Sequence, residues 1–201
     1  MHFSRWLRSV LSLTFFLSVS FAFVNIFAQA EEKAWVDIGE GDEWDYFKGT
    51  KEPPVKWNHI GFEKGDKDWH KGRTGLGYGH ERVRTELVDM KGNYLGVYAR
   101  RDLILSSADY ELLRQDSTGL TLSIVCDGPF KAWLNGVEVI RSHNRRVTPE
   151  QGLPKALEID IASFARELLQ VGSNVLAIWC ANDRVDSDSF LFIPALKMRG
   201  E

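Results

Sequence analysis

The sequence predicts an all-β fold, an antiparallel β-sandwich or jelly roll with one short helix, after an N-terminal signal peptide. Three observations carry that expectation. First, residues 119–139 alternate apolar side chains through Leu120, Leu122 and Ile124. They break at Cys126-Asp127-Gly128-Pro129, resume from Phe130 to Leu134, and turn at Asn135-Gly136 into Val137 and Val139. Asn-Gly suits a two-residue hairpin because both central positions of a type I′ turn need positive φ. The segment therefore reads as a meander with two antiparallel turns. Second, the remainder of the chain repeats short β-rich runs separated by turn residues. Third, a helical period occurs over a single stretch.

Taken in order, strands are expected over 34–38, 44–47, 83–88, 94–105, 119–126, 130–134, 137–141, 156–159, 174–180 and 190–197. The helix is expected over 161–169, where Ile161, Phe164, Ala165, Leu168 and Leu169 fall on one face, Asp160 can cap the start, and Gly172 lies past the end. Such a helix would plug one mouth of the sandwich. Residues 48–80 are the least regular, rich in Gly, Lys, Asp and Trp, and long ordered loops on such scaffolds commonly carry function.

Residues 1–30 read as a secretory signal peptide. Arg5 and Arg8 precede an apolar run over 10–27, and Ala28-Gln29-Ala30 supplies a small-x-small cleavage site before Glu31-Glu32. The alternative is a retained anchor, since the run could just span a bilayer. The expected location is periplasmic or extracellular. Residues 31–201 show no repeat, low-complexity tract or linker and read as one domain. The leader holds two of the 25 basic residues and none of the 28 acidic ones, so residues 31–201 carry a net charge of −5. That balance argues against nucleic acid as a partner, and leaves membrane association to a retained leader.

Cys126 and Cys180 are the only cysteines. Each ends an apolar alternation, Leu122-x-Ile124-x-Cys126 and Leu176-x-Ile178-x-Cys180, which points both thiols into the core. Two outcomes stay open: one disulfide closing a loop of about fifty residues, or two buried thiols that never meet.

The chain resembles the galactose-binding-domain-like β-sandwich. It is similar to the sugar-binding jelly-roll domain of β-galactosidase-type glycosidases and to related secreted bacterial modules. The resemblance rests on Trp44-x-Tyr46-Phe47-Lys48-Gly49, Asp66-Lys67-Asp68-Trp69, Gly75-Leu76-Gly77-Tyr78-Gly79 and Tyr98-Ala99-Arg100. It continues through Asp127-Gly128 leading into Trp133-Leu134-Asn135-Gly136-Val137-Glu138-Val139, then 172–178, and Ser187-Asp188. Where such domains have Asp-Asp-Gly, this chain has Cys126-Asp127-Gly128. The resemblance implies a binding module rather than an enzyme, because the fold hosts lectin-like modules and protein-docking domains alike.

Residue chemistry agrees with binding. The sequence contains no Gly-x-Ser-x-Gly elbow, His-Glu-x-x-His or phosphate loop, so no catalytic residue is assigned. A sugar site needs an aromatic face and planar polar groups. Trp69, His70, Arg73, Tyr78, His80 and Arg82 supply both within 66–82, although Trp69 and Tyr78 serve equally well as core and turn residues. Trp133 faces away from Phe130, Ala132 and Leu134, which makes it either a stacking platform or a residue beneath a loop. Asp183, Asp186 and Asp188 form a candidate structural calcium site, or else a solvated acidic loop. Arg100-Arg101 and the stretch 143–146 are small basic patches. The functional expectation is non-catalytic recognition of carbohydrate or a cell-surface glycan through loops at one end of the sandwich. The alternative is a structural or protein-interaction subunit on the outer side of a bacterial membrane.

Overall fold

A computed structural model describes residues 37–65, 67–142 and 155–199. The leader, Val36 and the residues before it, Asp66 and the stretch 143–146 lie outside the described residues. The strands are β1 (Asp37–Ile38), β2 (Glu43–Lys48), β3 (Trp69–Arg73), β4 (Leu76–Tyr78), β5 (Thr85–Glu86), β6 (Gly96–Leu105), β7 (Gly119–Cys126), β8 (Phe130–Leu134), β9 (Val137–Arg141), β10 (Leu157–Asp160), β11 (Gly172–Ala181) and β12 (Phe190–Arg199). Helix α1 (Ser107–Leu113) follows β6, and α2 (Ala162–Leu168) follows β10.

Two six-stranded sheets face each other. The first runs β10-β7-β12-β4-β5, with β1 on β12, and the second runs β3-β2-β6-β11-β8-β9. All pairings are antiparallel except β4 with β5, which is parallel. The core between the sheets is built by strand alternation. Trp44 and Tyr46 of β2, Val97, Ala99 and Leu103 of β6, and Leu176 and Ile178 of β11 meet Leu120, Leu122 and Ile124 of β7 and Phe190, Phe192 and Leu196 of β12.

The central meander is corrected at its first turn. Strands β7 and β8 do not pair. β7 lies between β10 and β12 in the first sheet and β8 lies between β11 and β9 in the second, so Cys126-Asp127-Gly128-Pro129 carries the chain across the sandwich. The second turn is a hairpin as expected, with β8 pairing β9 and Asn135 and Gly136 both at positive φ, 50° and 90°. The two cysteines are bridged, with sulfurs 2.08 Å apart, and the bond staples β7 of one sheet to β11 of the other.

The expected helix is α2, where Asp160 Oδ1 accepts from the Ala162 amide at 2.9 Å. The expectation of one short helix is corrected by α1. Ser106 caps it, accepting from the Asp109 amide at 3.2 Å, and Leu113 is its buried residue. Its seven residues carry too few apolar positions to display a helical period. Arg166 of α2 ties the helices together by donating to the carbonyls of Leu113 at 3.0 Å and Thr118 at 2.8 Å. Among the described residues, no helix is long and apolar enough to cross a membrane.

The irregular stretch 48–80 contains β3 and β4, which the sequence hides. β3 reads Trp-His-Lys-Gly-Arg, with one apolar residue, and β4 has three residues. What remains irregular is the segment 49–65, which folds back over the second sheet.

Candidate functional site on the outer face of the second sheet

The side of the second sheet that faces away from the core is unusually aromatic. Alternation turns Phe47 of β2, Trp69 of β3, Tyr98 of β6, Trp179 of β11 and Trp133 of β8 to this outer side. The register sets Trp69, Phe47, Tyr98 and Trp179 in one row across four strands. An exposed row of this size would be a large apolar patch. Instead the segment 49–65 covers much of it, and we refer to this segment as the flap.

The flap is fixed at several points. The Gly49 amide donates to the Gly96 carbonyl at 2.9 Å, and the two backbones approach too closely for a β-carbon on Gly49. Trp57 drives into the aromatic row. Its ring stacks on Trp69 with centroids 6.1 Å apart and meets Tyr98 and Trp133 edge-on at 5.2 and 5.5 Å. Farther along, the His59 imidazole lies against Gly136 in the β8–β9 hairpin. Phe62 meets Trp69 edge-on at 5.9 Å. On the way out, the Tyr98 hydroxyl donates to Glu52 at 2.8 Å, and burial, then that bond, pushes the phenol pKa up.

Beneath the flap lies a buried cation. Arg100 is 1% exposed. Its guanidinium donates to the Trp57 carbonyl at 2.9 Å and to Asp102 at 2.5 Å, with the Phe62 ring 5.5 Å away. Lys64 adds ion pairs to Asp45 and Asp102. Burial acts to raise the Asp102 pKa, but the hydrogen bonds and charges of Arg100 and Lys64 outweigh it and hold the carboxyl below its ordinary value. The two basic residues of the Arg100-Arg101 pair thus diverge. Arg100 anchors the flap, while Arg101 reaches the Glu43 carbonyl.

At its open side the flap leaves a hollow of about 420 Å³, lined by Phe47, Pro54, Gly65, Lys67, Asp68 and Trp69. A smaller hollow of about 90 Å³ adjoins it across Phe47, Lys67 and Asp68, and is lined by Lys48, Thr50, Lys51 and His70 as well. Lys51 pairs with Asp68 at 3.0 Å. Lys48 pairs with Asp89 at 2.8 Å. Lys67 makes no ion pair among the described residues. The result is a half-buried indole, Trp69, with lysines and, among the described residues, one carboxylate around it.

The sequence-derived site residues divide between this face and elsewhere. Trp69 lines the larger hollow and His70 the smaller one. Trp133 belongs to the same outer face but sits across Trp57, half-buried beneath the flap, which answers whether it is a bare platform. Arg73 is exposed at the far end of β3, opposite Glu43. Tyr78 belongs to the other sheet, is 8% exposed, and donates its hydroxyl to the Ser187 carbonyl at 3.0 Å. His80 follows it, its Nδ1 accepting from the Arg82 amide at 3.1 Å. These last three line neither hollow.

In the candidate calcium loop, Asp186 pairs with Arg184 at 2.7 Å and Asp188 with Lys91 at 2.7 Å. Among the described residues, no three His, Cys, Asp or Glu side chains converge on a metal position.

Sequence reasoning passed over Phe47, Trp57 and Lys67. Their signal was parity. With Trp44 and Tyr46 facing the core, Phe47 had to face outward, as did Tyr98, Trp133 and Trp179 on neighbouring strands. Four outward aromatics on four strands call for a cover, and Trp57 in the irregular stretch was the residue available to supply it.

No family model matches the sequence, and no curated protein matches it. Among solved structures, the chain is similar to a β-glucuronidase of Bifidobacterium dentium at 15% identity and TM-score 0.46, covering 73% of this chain and 20% of that one. It is also similar to a glycosyl hydrolase family 2 member of Bacteroides cellulosilyticus at 14% identity and TM-score 0.45, covering 79% and 20%. A Faecalibacterium prausnitzii β-glucuronidase gives 18% identity and TM-score 0.45, covering 76% and 22%. The chain spans about a fifth of the length of these structures.

Proposed function

We propose that this protein is an exported, non-catalytic recognition domain that binds carbohydrate in the hollow between the flap and β3. The observation that carries the reading is the composition of that hollow, where the half-buried Trp69 ring, backed by the buried Phe47, lies beside Lys67 and Asp68. A pyranose offers a C–H face that packs on an indole and hydroxyls that bond to charged side chains, so the two kinds of group belong together in a sugar site. Lys51 and Asp68 are paired on the exposed surface, and such pairs are weak enough to exchange one another for a ligand hydroxyl. The non-catalytic reading is supported by the lining. Among the described residues Asp68 is its one carboxylate, whereas glycoside hydrolysis ordinarily uses two facing each other across the bond. Export is supported by the basic-then-apolar leader, and a galactose-binding-like family reading by the sequence elements that fall on β2, the β8–β9 hairpin and β11.

A second reading, a protein-interaction subunit on the outer side of a bacterial membrane, is favoured by Val55 and Ile60. These flap residues are 88% and 38% exposed.

The test is a glycan-array screen of the protein beside its Trp69→Ala variant. The expected outcome is binding to a defined set of glycans that the variant loses while keeping its thermal transition. A folded protein that binds no glycan would end the carbohydrate reading and direct attention to Val55 and Ile60.

A further inference from the structure

The two hollows beside β3 differ in charge from the rest of the molecule. Residues 31–201 carry a net charge of −5, yet among the described residues the joined hollows are lined by three lysines, Lys48, Lys51 and Lys67, and one carboxylate, Asp68. Lys48 is satisfied by Asp89, and Lys51 and Asp68 satisfy each other. Lys67 lines both hollows and makes no ion pair among the described residues. It stands beside the half-buried Trp69 ring, so a ligand packed on that ring brings its substituents to an ammonium group that no carboxylate among the described residues holds. His70 adds a further nitrogen donor or acceptor on the far side of the smaller hollow.

A neutral sugar can offer this ammonium only a hydroxyl, whereas an anionic substituent would also balance its charge. We infer that the ligand is an acidic saccharide, whose ring packs beside Trp69 while its anionic substituent meets Lys67, with Lys51 released from Asp68 to join it. The inference rests on the carbohydrate reading above and narrows it to a ligand class. Carboxylate and sulfate share the chemistry that Lys67 would recognise. A lysine ammonium acts on either as a point charge, without the paired geometry that an arginine would impose.

The test is isothermal titration of the full chain with four probes. These are a galacturonic acid tetrasaccharide, the same tetrasaccharide with its carboxyl groups reduced to alcohols, a sulfated galactan tetrasaccharide lacking carboxylates, and inorganic sulfate. Each is titrated at low and high sodium chloride, with the wild type, Lys67→Gln and Trp69→Ala. The inference expects at least one acidic tetrasaccharide to bind about tenfold or more tightly than the reduced one, and to weaken as salt rises. It also expects Lys67→Gln to weaken the acidic sugar far more than the reduced one, removing most of that difference, and inorganic sulfate alone to bind far more weakly than either acidic sugar. Preference for the carboxylated or for the sulfated probe identifies the substituent, and either supports the inference. Equal, salt-insensitive affinity for acidic and reduced sugars, lost in Trp69→Ala, would overturn the acidic class and leave the carbohydrate reading standing. Binding of inorganic sulfate as tight as that of the acidic sugars would overturn it as well, because the ring would then contribute nothing. Failure of every tetrasaccharide to bind would overturn both.

Discussion

Trp57 of the flap meets Trp133 of β8 edge-on, with ring centroids 5.5 Å apart and planes inclined at 76°. Trp57 also touches Trp69 and Tyr98, which makes it the point where the flap is fastened to three different strands. Truncating a buried aromatic of this size costs about 3 kcal/mol. Trp57→Ala should therefore lower the urea midpoint by a corresponding amount. Trp133→Ala should cost less, because Trp133 is only half-buried. The double variant should lose less than the sum, as contacting residues do. Strict additivity would mean that the pair is not in contact.

Arg100 provides the polar half of the same fastening. Its side chain is 2% exposed, while that of its partner Asp102 is 53% exposed, so the ion pair has one dry end and one wet end. Removing the guanidinium leaves the Trp57 carbonyl without its donor and Asp102 with Lys64 alone, and Arg100→Ala should cost about 2 kcal/mol. Arg100→Lys should recover little of it, because one ammonium cannot reproduce the planar fork that bonds both acceptors. Equilibrium unfolding of the two variants checks this, and a change below about 0.5 kcal/mol for Arg100→Ala would place the residue among ordinary surface positions.

The Cys126–Cys180 bridge joins positions 54 residues apart in sequence and links the two sheets. Constraint of the unfolded chain over a loop of that length is worth about 4 kcal/mol in the chain-entropy account. A double Cys→Ser variant should keep the same secondary structure by circular dichroism while losing stability of that order. Unfolding of the wild type with and without reductant should show the same difference.

Asp127 gives a pH test. Burial raises its pKa, with the nearby Asp183 acting in the same direction, against the opposing hydrogen bond from the Leu191 amide and the charge of His80. A carboxyl whose folded pKa is raised destabilises the native state once pH exceeds the unfolded value, and the penalty is complete above the folded one. Asp127→Asn keeps an oxygen for the Leu191 amide, which now donates to Asp127 at 2.9 Å. The variant should be more stable than the wild type at neutral pH, and the difference should vanish below about pH 4, where both states of the wild type are protonated. Urea midpoints across that range measure it. A variant less stable at neutral pH would show that the charge itself is needed in the Cys126–Pro129 crossing.

Much of this architecture was legible because period-two alternation reports burial directly. The strands from Gly119 to Arg141, the Asn135-Gly136 hairpin and the inward thiols all followed from it. Strands β3 and β4 were hidden by glycine and charge. Gly72 leaves no room for a β-carbon against Thr85, and Gly77 sits too close to the Phe190 carbonyl for one, so packing selected glycine at these positions over strand-forming side chains. The crossing at Cys126–Pro129 was read as a hairpin because a local turn signal cannot tell a chain that pairs with itself from one that changes sheets. Within the candidate site, Trp69 was found as the aromatic in a polar stretch. Phe47 was not, since its place beside Trp69 depends on the pairing of β2 with the hidden strand β3, and Lys67 was read as one more charge in a polar loop. Tyr78 and His80 were near in sequence but lie on or after β4, in the other sheet.

The most direct test of the account is a proton–nitrogen correlation spectrum of the indole N–H groups, recorded as a glycan selected by the array screen is added. Trp69 lines the hollow and Trp57 stacks on it, whereas Trp44 is buried in the core at 1% exposure and serves as the internal reference. The account expects the Trp69 resonance to move most, Trp57 to follow with a smaller shift on the same binding curve, and Trp44 to stay in place. A saturating glycan that leaves Trp69 unmoved while perturbing resonances elsewhere would contradict it.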